Sequence, residues 1–222
     1  MRTTLLFDVY GTLVDTAGIA VALRKDAGDN AAAIAEQWRD KQVEYAFRRG
    51  LMRHYATFRT CVEQSLRYVL ERNRIPFTAE RLTALMREYG ELPPFVEAAP
   101  ALSALSEQFR IFAFSNGAKS DVAALLDHAG LSPFFVDVIS VDEVRSFKPD
   151  PAVYAYARRA SSAWGAACWL VSSNAWDVIG ARAAGLKTAW VRRSPDRVYD
   201  PWDTEPDVTV TSLLELLPTL MA

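Results

Sequence analysis

Six short runs of apolar residues, continuous rather than alternating, constrain this chain more than any other feature. They lie at residues 3–7, 111–114, 136–140, 167–171, 188–191 and 208–210. A run with no polar alternation suits a strand buried on both faces, the condition met in parallel sheets covered by helices. From about residue 98 onward these runs alternate with helical patterns whose ends are well marked. Residues 120–128 stop near Gly130, Pro151 opens a helix behind a capping Asp150, and residues 176–184 stop at Gly185. Strand and helix in alternation predict an α/β fold with a Rossmann-like, doubly wound parallel sheet.

Residues 16–92 break that rhythm. No strand candidate occurs there, whereas 31–58, 61–74 and 79–89 read as helices, with Ile34, Trp38 and Tyr45 recurring near the helical period. Pro93 and Pro94 mark the exit, because consecutive prolines stop a helix and stiffen the connection. The expected organisation is a core of residues 1–15 plus 96–222, with a helical cap of residues 16–95 inserted after the first strand. A chain of 222 residues has room for such a core and a modest second unit.

Composition narrows the function. A formal charge of −2 argues against a nucleic-acid or anionic-membrane surface, which would need a clustered basic excess. Arg48, Arg49 and Arg53 share a helical stretch with Glu44 and read as a solvated face. Cys61 and Cys168 are too few for a disulfide framework and show no zinc spacing. The first apolar run stops at Asp8, so no signal-peptide core is read, and a cytoplasmic location is expected. His54 and His128 lie in separate helical patterns and read as ordinary helix residues.

In an open parallel sheet, ligands bind beyond the carboxyl ends of the strands. The residues leaving those ends are Asp8, Gly11 and Thr12 after the first strand, and Ser115, Asn116 and Gly117 after the second. Lys148 follows the third, and Ser172, Ser173, Asn174 and Asp177 follow the fourth. Each has an ordinary turn or capping explanation alone. Together they place two carboxylates and a lysine at one edge, a nucleophile with its charge partners.

The ordered motifs FDVYGTLVD, FSNG, FKPDP and SSNAWD, with WRDKQVEY in the helical insertion, resemble the haloacid dehalogenase superfamily and, within it, the L-2-haloacid dehalogenases. The resemblance covers nearly the whole chain and implies a pocket between core and cap. It implies that Asp8 attacks the halogen-bearing carbon and forms an ester that water hydrolyses. Arg39, helped by Asn116, would receive the halide, and Ser115 with nearby backbone N–H groups would hold the substrate carboxylate. Lys148 and Ser172 would orient Asp8, while Asp177 and Asn174 would activate water. Thr12 and Tyr154 match further positions that matter for activity, and Tyr10, Val43, Phe58 and Trp176 match the apolar lining. In one position the motif departs from the family: Asp40 stands where glutamine is expected.

Tyr10 has a physical reading of its own. The superfamily's phosphatases carry a carboxylate two residues after the nucleophile to protonate an alkoxide leaving group, and a halide needs no proton. An aromatic ring there removes an unused acid and desolvates the attacking carboxylate. The loop 172–177 offers a single carboxylate, Asp177, so no metal and no cofactor are expected. The partners expected are a 2-halocarboxylate, water and a second copy of the chain. Three alternatives stand beside this reading: a fluoroacetate dehalogenase or ring-opening hydrolase on the same machinery, a phosphatase or phosphonatase, and an inactive scaffold that binds a partner through the cap.

Overall fold

The computed structural model describes residues 2–163 and 167–222. In chain order the elements are β1 (Thr4–Phe7), α1 (Ile19–Ala27), α2 (Ala31–Leu51), α3 (Phe58–Arg72), α4 (Ala79–Tyr89), α5 (Ala98–Gln108), β2 (Arg110–Ser115), α6 (Lys119–His128), β3 (Asp137–Ser140), α7 (Pro151–Ala160), β4 (Cys168–Ser172), α8 (Ala175–Ala183), β5 (Lys187–Val191), β6 (Val208–Val210) and α9 (Leu216–Met221). Each of the six apolar runs forms a strand. They pair in the order β3-β2-β1-β4-β5-β6, every pair parallel.

β1 sits inside the sheet, with Leu5 level with Ile111 of β2 and Trp169 of β4. All four of its residues are buried, which is why its sequence shows no polar alternation. The helix signals hold where the sequence placed them. Asp150 accepts the backbone N–H of Ala152 at 2.9 Å, with Pro151 in the first helical position. Gly130 and Gly185 both take positive φ after helix ends.

α1 to α4 pack on one another. The Trp38 indole is fully buried and donates to the Val62 carbonyl at 2.9 Å, tying α2 to α3. Arg81 of α4 grips Asp26 of α1, its Nε 3.0 Å from both carboxylate oxygens, and donates to the Ala22 carbonyl at 2.7 Å. The chain enters and leaves this helical group side by side. Asp15 N–H donates to the Pro93 carbonyl at 2.8 Å, and Phe95 N–H donates to Leu13 at 3.0 Å. Arg193, just beyond β5, binds Glu97 and the Thr12 carbonyl with its guanidinium over the Phe95 ring, so it clasps both crossings to the sheet.

The structure corrects one helix. The pattern over 31–58 predicts a single segment, but α2 ends at Leu51, and Arg53 adopts φ 53° in the connection that follows. Thr57 then caps a new helix by accepting Thr60 N–H at 3.3 Å. Phe58 therefore opens α3, and Cys61 lies one turn inside it. α1 is an additional helix that the sequence pattern did not single out.

Candidate active site

Four strands deliver their following residues to one carboxyl-end crevice, and Asp8 lies at its centre. Only 5% of Asp8 is exposed, yet its carboxylate is fully engaged. Oδ2 accepts from Asn174 Nδ2 at 2.7 Å, Thr12 Oγ1 at 3.0 Å and Ser172 Oγ at 3.3 Å. Oδ1 accepts from Lys148 Nζ at 3.2 Å. A buried carboxylate needs such donors to remain charged away from water.

Lys148 is completely buried. Its ammonium spends its three N–H groups on Asp8, on Asp177 Oδ2 at 2.8 Å and on the Phe114 carbonyl at 2.9 Å. The two acids thus share one cation. Asp177, in the first turn of α8, also accepts from Tyr154 Oη at 2.8 Å through Oδ1. Burial pushes the Asp177 carboxyl above its ordinary range, opposed by Lys148 and reinforced by the charge of Asp8. Burial, with the adjacent Asp177 charge, likewise raises the Tyr154 phenol, so that hydroxyl stays a donor. Gly180 makes this contact possible, because a Cβ there would lie 2.6 Å from Tyr154 Oη.

The remaining polar residues hold the loops. Asn116 Oδ1 accepts Lys148 N–H at 2.9 Å, which locks the second loop to the third. Ser115 Oγ accepts Gly117 N–H at 3.1 Å, and Ser172 Oγ accepts Asn174 N–H at 3.1 Å. Arg39 reaches in from α2 and donates to the Tyr10 carbonyl at 3.4 Å. It touches this backbone oxygen of the loop after β1 rather than the Asp8 carboxylate.

The apolar residues named from the sequence divide between two cavities. Tyr10 is buried, stacked on Tyr89 at 5.5 Å and tilted against Phe58 at 5.6 Å, and these three rings line a cavity of about 110 Å³. Val43 and Trp176 instead line a cleft of about 520 Å³ together with Arg39 and Asn174. Two residues near the site escaped the sequence reading. Tyr89 donates to the buried Gln42 side chain at 2.8 Å, its phenol pushed up to about 12 chiefly by burial; its sequence position reads only as a core residue of α4. Arg193 follows the end of β5, where the same carboxyl-edge rule finds it.

The donors around Asp8 bear on whether a metal fits. Magnesium demands near-octahedral oxygen ligation. Asp8 Oδ2 and the Tyr10 carbonyl are the two oxygens that converge here, and the Asn174 amide donates to both, at 2.7 and 3.3 Å. The next carboxylate, Asp177, is tied to an ammonium. N–H groups occupy the directions in which a cation would bind, so the residues present do not fit one. Among the described residues no group of three or more His, Cys, Asp or Glu side chains gathers closely enough to hold a metal ion. Nor is any described helix long and apolar enough to cross a membrane.

The comparisons agree with this geometry. Residues 3–185 match the model of the haloacid dehalogenase-like hydrolases. The chain is 35% identical to the (S)-2-haloacid dehalogenase of Pseudomonas sp. strain YL, over 93% of this chain and 89% of that one. It is 34% identical to haloacetate dehalogenase H-2 of Moraxella sp. strain B, over 92% and 91%. Its structure superposes on L-2-haloacid dehalogenase from Xanthobacter autotrophicus with chloropropionic acid covalently bound, at a TM-score of 0.94 and 30% identity, covering 100% of this chain and 99% of that chain. With a family model matched over residues 3–185, relatives matched nearly end to end and a superposable fold, the chain belongs to the haloacid dehalogenase-like hydrolase family, among the relatives of the (S)-2-haloacid dehalogenases.

Proposed function

We propose that this protein is an (S)-2-haloacid dehalogenase that converts L-2-haloalkanoic acids to D-2-hydroxy acids through an ester on Asp8, without a metal. The observation that carries this reading is Tyr10. A buried ring stacked on Tyr89 stands where a leaving-group acid would be required for a phosphate ester, beside a nucleophile whose partners are all N–H or O–H donors.

The positions support the following steps. The Asp8 carboxylate attacks C2 from the face opposite the halogen; a C–O bond forms, and the C–X electron pair departs as halide. Arg39 and Asn116 receive that anion, a delocalised guanidinium being suited to a polarisable one. Ser115 and the adjacent N–H groups hold the substrate carboxylate. Water then attacks the Asp8 carboxyl carbon, not C2, and the acyl C–O bond breaks, so the single inversion at C2 is retained in the product. Asp177, oriented by Tyr154 and Lys148, takes the water's proton with Asn174 holding the water, and that proton passes to the product alkoxide as it leaves. Thr12, Ser172 and Lys148 fix the carboxylate throughout. Val43 and Trp176, in the cleft with Arg39 and Asn174, border the alkyl group, while Tyr10 and Phe58 line the second, smaller cavity.

A smaller substrate is the second reading, favoured by the relative named for haloacetate. Two further expectations belong to the same proposal. Exposed Leu51 and Met52 at the end of α2 support a homodimer, although Phe58 turns inward and Tyr55 packs on Phe147. Both cysteines are buried and unpaired, which supports a reducing, cytoplasmic setting.

The test is halide release from L- and D-2-chloropropionate in excess chelator. Release from the L form alone is expected. Turnover that requires added magnesium, or that favours the D form, would reject the proposal.

A further inference from the structure

The cleft that Arg39 shares with Asn174 is bounded by Asp40, the next residue of α2, and by Arg193, Arg197 and Asp200 of the segment after β5. Its charges are unevenly available. Arg193 is bound to Glu97 and the Thr12 carbonyl, so its cation is already balanced. What remains is two guanidiniums, Arg39 and Arg197, facing three carboxylates: Asp15, Asp40 and Asp200. A neighbouring cavity of about 250 Å³ brings Arg39, Asp40 and Arg197 together again, with Glu36 one turn earlier on the helix. Asp40 therefore shares both spaces with the cation assigned to the halide.

We infer that Asp40 limits how tightly the site retains the departing halide, acting as a release determinant through its charge. The inference rests on the assignment of Arg39 as halide acceptor in the proposed function. A guanidinium at the bottom of a cleft holds an anionic product as well as it stabilises the leaving group, and product release sets many turnover rates. A carboxylate at the rim weakens that hold without touching the reacting carbon. Partial burial and Glu36 raise the Asp40 carboxyl, while Arg39 and Arg197 lower it, so Asp40 senses the same field the halide does. A neutral glutamine, the residue the family motif leads one to expect here, would contribute no such charge. For like charges sharing one half-wet cleft, the effect on anion affinity is about three- to tenfold.

The experiment is chloride binding to the purified protein, read from ³⁵Cl NMR line broadening, for the parent, Asp40→Asn and Asp40→Glu, with Arg39→Met as the site control. Halide inhibition of turnover is measured alongside. Asp40→Asn is expected to bind chloride about three- to tenfold more tightly, the gain shrinking as salt rises. Asp40→Glu should match the parent. The substrate is itself an anion, so its KM should fall in parallel, which makes direct halide binding the deciding measurement. Unchanged or weaker binding by Asp40→Asn overturns the inference, as does Asp40→Glu behaving like Asp40→Asn, or chloride bound nowhere at Arg39. If chloride binding shifts as expected but L-2-chloropropionate is not turned over, the dehalogenase reading fails and the anion role of Asp40 stands. Turnover with an unshifted affinity rejects Asp40 alone.

Discussion

Tyr154 of α7 donates to Asp177 Oδ1 at 2.8 Å and also lies 3.2 Å from the Asp177 carbonyl oxygen. The shorter contact orients a buried carboxylate whose other oxygen is held by Lys148.

Removing that donor should show in a pH profile as well as in a rate. The bond from Tyr154 lowers the Asp177 carboxyl against the rise that burial imposes. Tyr154→Phe should therefore raise it further, moving the acidic limb of the kcat profile to higher pH, and lower kcat about tenfold. A lower kcat with an unmoved limb would mean that Tyr154 only fills space above Gly180.

Asn174 separates this site from a cation-binding one by a single amide. Asn174→Asp would place a third oxygen beside Asp8 Oδ2 and the Tyr10 carbonyl, and a second negative charge beside Asp8. Halide release should drop by about 10- to 100-fold. Magnesium should raise the melting temperature of the variant and leave the parent unchanged. Equal thermal shifts in both proteins would refute the argument that donors, rather than geometry, exclude a cation.

Much of this was legible before any coordinates, and the reasons are local. Strands buried on both faces leave continuous apolar runs, and the carboxyl-edge rule then gathers Asp8, Asn116, Lys148 and Asp177 from four separate stretches. What sequence pattern missed depends on long-range placement. No residue between Met52 and Thr57 is a conventional helix breaker, and Arg53 takes a positive φ that composition does not advertise. Val43 and Phe58 look equivalent as apolar cap residues, yet they line different cavities, because Phe58 starts a helix instead of ending one. Tyr89 becomes notable only when the fold stacks it on Tyr10.

The helical insertion has its own keystone. Arg81 and Asp26 are mostly shielded from solvent, at 19% and 13% side-chain exposure. Arg81→Ala would leave Asp26 without its charged partner, at a cost of about 2 kcal/mol and a fall in Tm of roughly 5 °C. A thermal melt of the variant and of the Asp26→Ala, Arg81→Ala pair checks this. The double change should cost less than the sum of the single ones.

Asp207 offers a prediction about pH and stability. Partial burial would raise its carboxyl, but hydrogen bonds from Lys187, Arg182 and Thr188 N–H hold it down to about 2, below the ordinary 3.8. A group depressed in the folded state stabilises above its unfolded value and loses that contribution as pH falls through the folded one. Asp207→Asn should be less stable than the parent at neutral pH. The gap should narrow below about pH 4 and close near about pH 2, as read by denaturant melts across that range. A gap independent of pH would assign the effect to shape alone.

β1 lies inside the sheet, but both of its neighbours come from the far side of the helical insertion. During synthesis the ribosome delivers β1 first, then α1 to α4, and only afterwards the strands that flank it. The helical group can bury Trp38 and Leu66 within itself from nearby chain, whereas β1 must wait for pairings of high sequence separation, which form slowly. Asp8 is thus made before the helical insertion and gains most of its partners only after it, since Lys148, Ser172 and Asn174 all follow later in the chain. The newborn chain carries Asp8 long before it has a site around it.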